Sequence, residues 1–188
     1  MSDTDFGATL LTLARQAIAH RLGRGPAPTV PDDPRLREKG ASFVTLTRDG
    51  ELRGCIGSLS RSRLLGDDVV ANAVAAATED PRFPPLAADA LDAIAIEVSV
   101  LSEPEFLDFA GEQELLAQLR PGEDGLIIFS GCRSATFLPQ VWDQLPEPRQ
   151  FLAALKEKAG LSSRREQAGL MAARYHVQKW KETEQEAS

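Results

Sequence analysis

The sequence predicts an α+β fold, because its helices and strands lack the regular alternation of a doubly wound sheet. The turn dipeptide Asp49-Gly50 between two apolar stretches indicates a β-hairpin. A further strand is indicated at residues 94–100, where apolar and other residues alternate. Residues 5–22 and 149–159 instead have the apolar spacing of amphipathic helices. We therefore expect a mixed or antiparallel sheet with flanking helices.

The composition is that of a globular protein. The chain has 188 residues, of which 43% are hydrophobic and 26% charged, and its mean hydropathy is −0.22. This length and composition are typical of one domain, with or without a minor lobe. The net charge of −7 disfavours nonspecific binding to nucleic acid or an anionic membrane, since both depend on concentrated lysine and arginine. A local basic pocket is still compatible with that charge.

The cysteine content indicates a reducing compartment. The two cysteines are Cys55 and Cys132, and the N-terminus is acidic where a signal peptide would be basic. No segment reaches the run of about 18 apolar residues that a membrane span requires. We expect a cytoplasmic protein with two free thiols. The two histidines and two cysteines are not at ligand spacing, so we expect no metal or other cofactor.

The hairpin defines a predicted register. Counting from a two-residue loop pairs Arg48 with Glu51, which places Val44 opposite Cys55 and Leu46 opposite Arg53. One predicted face carries Val44, Leu46, Arg53 and Cys55, and the other carries Phe43, Thr45, Leu52 and Ile56.

An alanine-rich helix is predicted at residues 67–79, followed by Asp80-Pro81-Arg82-Phe83-Pro84-Pro85, whose prolines end it. The predicted apolar stripe of this helix is Val70, Ala73, Val74 and Ala77. In the strand that follows, Ile94, Ile96, Val98 and Val100 should share a buried face, with Ala95, Glu97 and Ser99 on the other.

The C-terminal half continues with shorter elements. We predict a helix at residues 112–119, a hairpin from strands at 126–129 and 135–138, and a helix at 149–159 that Gly160 ends. A last strand is predicted at residues 174–179, with Tyr175 and Val177 on one face.

The first candidate site is Arg53-Gly54-Cys55-Ile56-Gly57-Ser58. Regular alternation would put Arg53 and Cys55 on one face, where the guanidinium would favour the thiolate. Glycines in a strand indicate a bulge, or close approach of a backbone or ligand. The alternative is a structural role, with Cys55 as a small apolar residue and Arg53 in an ion pair. This role is the commoner one for a free cysteine, because free cysteines are among the most buried residues in proteins.

Arg82 and Glu97 are further candidates. The prolines around Arg82 could fix it at the mouth of a cleft, or simply end a helix and leave Arg82 in solvent. Glu97 lies in an apolar strand and needs a partner if buried, for which Arg53 or Arg82 is the natural choice. An acid/base role for Glu97 is an alternative to a structural ion pair.

Several motifs occur in a recognisable order. They are Phe43-Val44-Thr45-Leu46, Leu52-Arg53-Gly54-Cys55-Ile56-Gly57, Asp80-Pro81-Arg82-Phe83-Pro84-Pro85, Glu97-Val98-Ser99-Val100-Leu101, Leu138-Pro139-Gln140-Val141, Phe151-Leu152 and Lys158-Ala159-Gly160-Leu161. In this order they resemble the AMMECR domain family, whose prokaryotic members are also called AmmeMemoRadiSam system protein A. The chain departs from that pattern at Ser162-Ser163-Arg164-Arg165, where members carry a tryptophan, and at Cys132-Arg133-Ser134-Ala135, where they are more aliphatic.

The resemblance implies one AMMECR-like domain over residues 8–182, with a larger lobe, a smaller lobe and a cleft near the cysteine strand. Residues 1–7 and 183–188 would then be flexible termini. It also implies association with a Memo-type protein and a radical-SAM protein, and it supplies no reaction.

On this basis we expect a component of a Memo/radical-SAM-associated system that binds an anionic small molecule or a partner. The ligand-binding residues would be Arg53, Gly54, Gly57, Ser58 and Arg82.

An alternative is a cysteine-dependent enzyme. Cys55 would be its nucleophile or redox group, and Glu97 would orient an arginine or move a proton. A nucleic-acid-binding regulator is the least favoured function, because the arginines are few against the net charge of −7.

Overall fold

The computed structural model describes residues 3–182 and has antiparallel sheets flanked by helices, which confirms the predicted α+β class. In these residues no helix has the length and apolarity to cross a bilayer. The α-helices are α1 (Asp3–Arg21), α2 (Leu65–Thr78), α3 (Glu112–Gln118) and α4 (Pro148–Lys158). The strands are β1 (Lys39–Gly40), β2 (Ser42–Arg48), β3 (Glu51–Gly57), β4 (Arg63–Leu64), β5 (Ala95–Leu101), β6 (Glu105–Leu107), β7 (Gly125–Ser130), β8 (Arg133–Phe137), β9 (Met171–Tyr175) and β10 (Val177–Lys181).

The described residues form two compact units, which we call unit 1 (residues 3–101 and 178–182) and unit 2 (Ser102–Val177). Of the termini expected to be flexible, residues 1–2 and 183–188 lie outside the described residues. For residues 3–7 the prediction of a flexible end is wrong. They form the start of α1, because Phe6 is buried in the core of unit 1.

Unit 1 contains a four-stranded sheet in the order β10-β5-β2-β3. Its core-facing side carries Val44, Leu46, Ile96 and Val98, all fully buried in one cluster with residues of α1 and α2. The buried face of α2 is rotated from the predicted stripe, since Val70 and Val74 are only partly buried. The buried residues of α2 are Leu65, Gly66, Asp68, Val69, Asn72, Ala73, Ala76 and Ala77.

The register of the β2–β3 hairpin differs from the prediction. Arg48 pairs with Glu51 as expected, but a β-bulge follows, so that Cys55 stands opposite Thr45. The predicted face of Val44, Leu46, Arg53 and Cys55 is therefore wrong, because one extra residue in β3 shifts every later pair.

Strand β5 shows the predicted alternation only in part, because Val100 of the predicted buried face is only partly buried. Ile96 and Val98 are fully buried on the core side, while Glu97 is only partly buried on the other. That other side is also covered in part, since Ala95 and Ser99 are buried as well.

Unit 2 is built on a sheet in the order β6-β9-β7-β8. The predicted hairpin of β7 and β8 is confirmed, and Leu126 and Ile128 are fully buried in the core of the unit. The core also contains Phe151 of α4, whose ring stacks on Trp142 with 3.7 Å between the ring centres. Gly160 follows α4 with a φ of +73°, as the prediction of a helix stop requires.

The predicted last strand is in fact two strands in different sheets. β9 ends at Tyr175, and β10 begins at Val177. Between them His176 is bonded to Ser102, which donates its backbone N–H to the His176 carbonyl at 2.9 Å. His176 also donates its own N–H to the Ser102 hydroxyl at 2.9 Å. Both backbone groups of His176 are therefore bonded to Ser102 and separate β9 from β10.

Candidate functional site

The cysteine strand β3 and the loop after α2 lie together in unit 1. We call residues 53–58 and 80–85 the strand–loop site. β3 is at the edge of its sheet, so the backbone groups that do not pair with β2 are available to other partners.

Close packing explains the two glycines of this strand. A Cβ at position 54 would collide with the carbonyl oxygen of Ala76 in α2, and one at position 57 would collide with the ring of Phe43. Gly54 thus allows the helix backbone to approach the bulge, which is one of the roles predicted for it. The predicted ligand contacts of both glycines stay predictions.

Cys55 is partly buried on the side of the sheet away from α1 and α2. The hydroxyl of Thr45 donates a hydrogen bond to its Sγ at 3.3 Å. Thr45 also stands opposite Glu97 of β5, and the Lys179 ammonium lies 3.7 Å from the Glu97 carboxylate. Cys55, Thr45, Glu97 and Lys179 thus form a polar row across the sheet.

Asp80 and Arg82 hold the backbone of Cys55. The Cys55 N–H donates to Oδ2 of Asp80 at 2.8 Å, and the Arg82 guanidinium donates to the Cys55 carbonyl at 3.3 Å. Arg82 also binds the Asp80 carboxylate with two groups, Nε at 3.0 Å and a terminal nitrogen at 2.7 Å. The pair therefore takes the place of a neighbouring strand along this part of β3.

This ion pair is charged at neutral pH. Hydrogen bonds from Arg82 hold the pKa of the Asp80 carboxyl well below its usual range, although burial acts in the opposite direction. The bond from Asp80 in turn raises the pKa of the Arg82 guanidinium. Arg82 is therefore a cation whose charge is compensated inside the site.

Arg53 is the extra residue of the bulge and has a different environment. Its guanidinium donates to the carbonyl of Pro84 at 2.7 Å. In residues 3–182 no carboxylate forms an ion pair with it. The guanidinium carbons of Arg53 and Arg82 lie 5.7 and 5.5 Å from the ring centre of Phe83, within cation–π range. The loop thus presents a partly buried ring with two cations, of which Arg53 is uncompensated.

Ser58 belongs to a buried network. Its hydroxyl donates to the carboxylate of Asp68 at 2.7 Å, and Ser42 and Asn72 donate to the same group. Asp68 is fully buried in α2, so the network joins both strands of the hairpin to the helix. The Ser58 hydroxyl is thus bonded to Asp68 in the structure, and its predicted contact with a ligand stays a prediction.

The structure places Arg53, Cys55 and Arg82 near one another, but not through the shared strand face that the sequence predicted for Arg53 and Cys55. Glu97 contacts Lys179 instead of the expected Arg53 or Arg82.

Sequence reasoning missed Asp80, Thr45, Lys179 and the buried role of Asp68. The sequence does contain a signal for Asp80. An aspartate favours a turn in which its carboxylate accepts a hydrogen bond from the backbone N–H two residues later, here that of Arg82.

Comparison with known proteins identifies a matching protein family. The AMMECR1 family model matches residues 11–180. A protein from Thermofilum pendens is 40% identical over an alignment 168 residues long, which covers 82% of this chain and 79% of the relative. A protein from Methanothermobacter thermautotrophicus is 40% identical over an alignment 164 residues long, which covers 84% of this chain and 83% of the relative.

A solved structure has the same fold. It is the crystal structure of the uncharacterized protein PH0010 from Pyrococcus horikoshii, with a TM-score of 0.80 and 33% sequence identity. The similarity covers 96% of this chain and 93% of that one.

Proposed function

The chain belongs to the AMMECR1 family, and we propose that it is a binding component that holds an anionic group at the strand–loop site. The observation that carries this proposal is the Arg53 guanidinium, a cation beside the Phe83 ring with no carboxylate partner in the described part of the chain. Arg82 would supply the second cation. A carboxylate or phosphate suits such a pair, because arginine forks match the geometry of both.

We propose that Cys55 has a structural role in the site and does not react with the ligand. Its thiol accepts a hydrogen bond from Thr45 of the neighbouring strand. Its backbone N–H and carbonyl are bonded to Asp80 and Arg82 of the loop. In this arrangement Cys55 connects the sheet to the arginine-bearing loop. The proposal therefore requires no attack by sulfur.

A titration followed by NMR tests the proposal. Inorganic phosphate and citrate are added separately to the ¹⁵N-labelled protein, and the signals of residues 53–58 and 80–85 are followed. We expect saturable shifts in these residues, and binding about tenfold weaker in Arg53→Ala. Arg48→Ala is the matched control, because Arg48 lies in the same hairpin and is exposed. Equal binding by both variants, or no shift at these residues, would contradict the proposal.

The partners we propose are the Memo-type and radical-SAM proteins that the family's system name implies. The chain would present or shield an anionic substrate for them in the cytoplasm. Co-purification at micromolar concentration should succeed with the wild type and fail with Arg53→Glu. Failure of the wild type to retain either partner removes this part of the proposal.

A cysteine-dependent enzyme is the second candidate, favoured by the hydrogen bond that the Thr45 hydroxyl donates to the Cys55 sulfur, since this bond fixes the position of the sulfur. The chain contains its own reference, because Cys132 is an exposed thiol. Under the binding proposal, iodoacetamide modifies Cys132 faster than Cys55, because access decides the rate. Faster modification of Cys55 would favour the enzyme.

A further inference from the structure

The Asp80 carboxylate already occupies an anion position inside the strand–loop site. Its side chain is 2% exposed, and it accepts hydrogen bonds from the Cys55 N–H and the Arg82 N–H at 2.8 and 3.1 Å. The Arg82 side chain adds bonds at 3.0 and 2.7 Å. Four donors therefore surround one internal carboxylate.

An external anion would compete for these donors. The fork of Arg82 that binds Asp80 is the same group that would bind a carboxylate or phosphate beside Arg53. While Asp80 occupies that fork, Arg53 offers the only uncompensated charge of the pair among the described residues. Full use of both arginines thus requires that Arg82 exchange its partner.

We propose that Asp80 is an autoinhibitory anion, which an external carboxylate or phosphate displaces from Arg82 when it binds to the strand–loop site. This inference rests on the proposed function and adds its regulation. Because Asp80 also holds the Cys55 N–H, its displacement releases the edge of β3 at Cys55. Anion binding is therefore coupled to opening of the β3 edge at Cys55. The coupling free energy is the same in both directions, so opening of the edge also favours anion binding.

The test combines a variant with hydrogen exchange, and inorganic phosphate is the probe. Asp80→Asn removes the internal charge at nearly constant shape, so it should bind phosphate about tenfold more tightly than the wild type. The matched control is Asp92→Asn, which removes the same charge from another arginine pair of unit 1, the one with Arg24. In the wild type, saturating phosphate should speed exchange of the Cys55 amide about threefold. The Ile56 amide, in the hairpin ladder opposite Val44, should not become faster.

The outcomes separate this inference from the proposed function. Tighter binding by Asp80→Asn alone, with faster Cys55 exchange, supports autoinhibition. Equal affinity in the two asparagine variants overturns autoinhibition, and the proposed function survives if Arg53→Ala still loses binding. Absence of phosphate binding in the wild type and in Asp80→Asn overturns both. If Asp80→Asn does not fold, the wild-type exchange decides, and unchanged or slower Cys55 exchange with phosphate overturns the inference.

Discussion

The hairpins β2–β3 and β7–β8 have similar sequence patterns but different geometry. Strand β7 pairs with β8 in a continuous register from Leu126 to Ser130. In the first hairpin the register shifts at Arg53, and the strand edge is held by Asp80 and Arg82. Each hairpin contains a cysteine, partly buried in a strand in the first and exposed at the turn in the second. The candidate site therefore lies where the regular ladder of hydrogen bonds between strands is interrupted.

The largest effect should come from a methyl group at the bulge. In Gly54→Ala the new Cβ meets the Ala76 carbonyl, which belongs to a helix backbone and cannot rotate away. We expect a loss of about 3 kcal/mol in the free energy of unfolding. Urea denaturation monitored by circular dichroism measures it.

Gly131→Ala in the other hairpin is the control. Gly131 has a φ of +59° and open space around its Cα, so only backbone strain of about 1 kcal/mol is expected. Equal losses in the two variants would show that close packing at the bulge is not what distinguishes the hairpins.

The second hairpin should instead be sensitive to alkali. Burial raises the pKa of Tyr175 to about 12, and its hydroxyl contacts Thr136 and the Phe137 carbonyl of β8. Because the pKa is higher in the folded than in the unfolded state, stability is intact below about pH 10 and falls as the pH rises towards 12. The loss should reach about 2.5 kcal/mol.

Tyr175 is the only tyrosine, so absorbance at the tyrosinate band follows it directly during the titration. Tyr175→Phe should lack this part of the alkaline loss. An ordinary tyrosine titration near pH 10 in the folded protein would contradict the prediction.

The smallest effect concerns acid and the first hairpin. The pKa of Asp80 is lowered in the folded state, so its contribution to stability is present above about pH 4 and is lost as the pH falls below that. At neutral pH we expect Asp80→Asn to be less stable than the wild type by about 1.5 kcal/mol. Denaturation curves at several pH values should show this gap closing in acid. A gap independent of pH would mean that the charge of Asp80 contributes nothing.

The sequence predicts most of the regular elements of both hairpins, because alternation and turn residues are local signals. The bulge at Arg53 could not be located by counting, although Gly54 indicated that a bulge was one explanation. Counting assumes a constant period of two, and one inserted residue moved Cys55 to the other side of the sheet.

The partners within the site depend on contacts that are distant in sequence. Glu97 contacts Lys179, and Ser58 contacts Asp68 of a helix, and no local pattern encodes either pair. The sequence motif that contains Asp80 and Arg82 predicts a role for Arg82 but not for Asp80. The tertiary fold determines that their ion pair lies against the edge of β3.

The central claim is that arginine, not sulfur, is responsible for binding at the strand–loop site. This is tested by measuring the affinity of Cys55→Ser for inorganic phosphate beside that of Arg53→Ala. We expect the affinity of Cys55→Ser to stay within about twofold of the wild type, while that of Arg53→Ala weakens about tenfold. Lost binding in Cys55→Ser with unchanged binding in Arg53→Ala would contradict it.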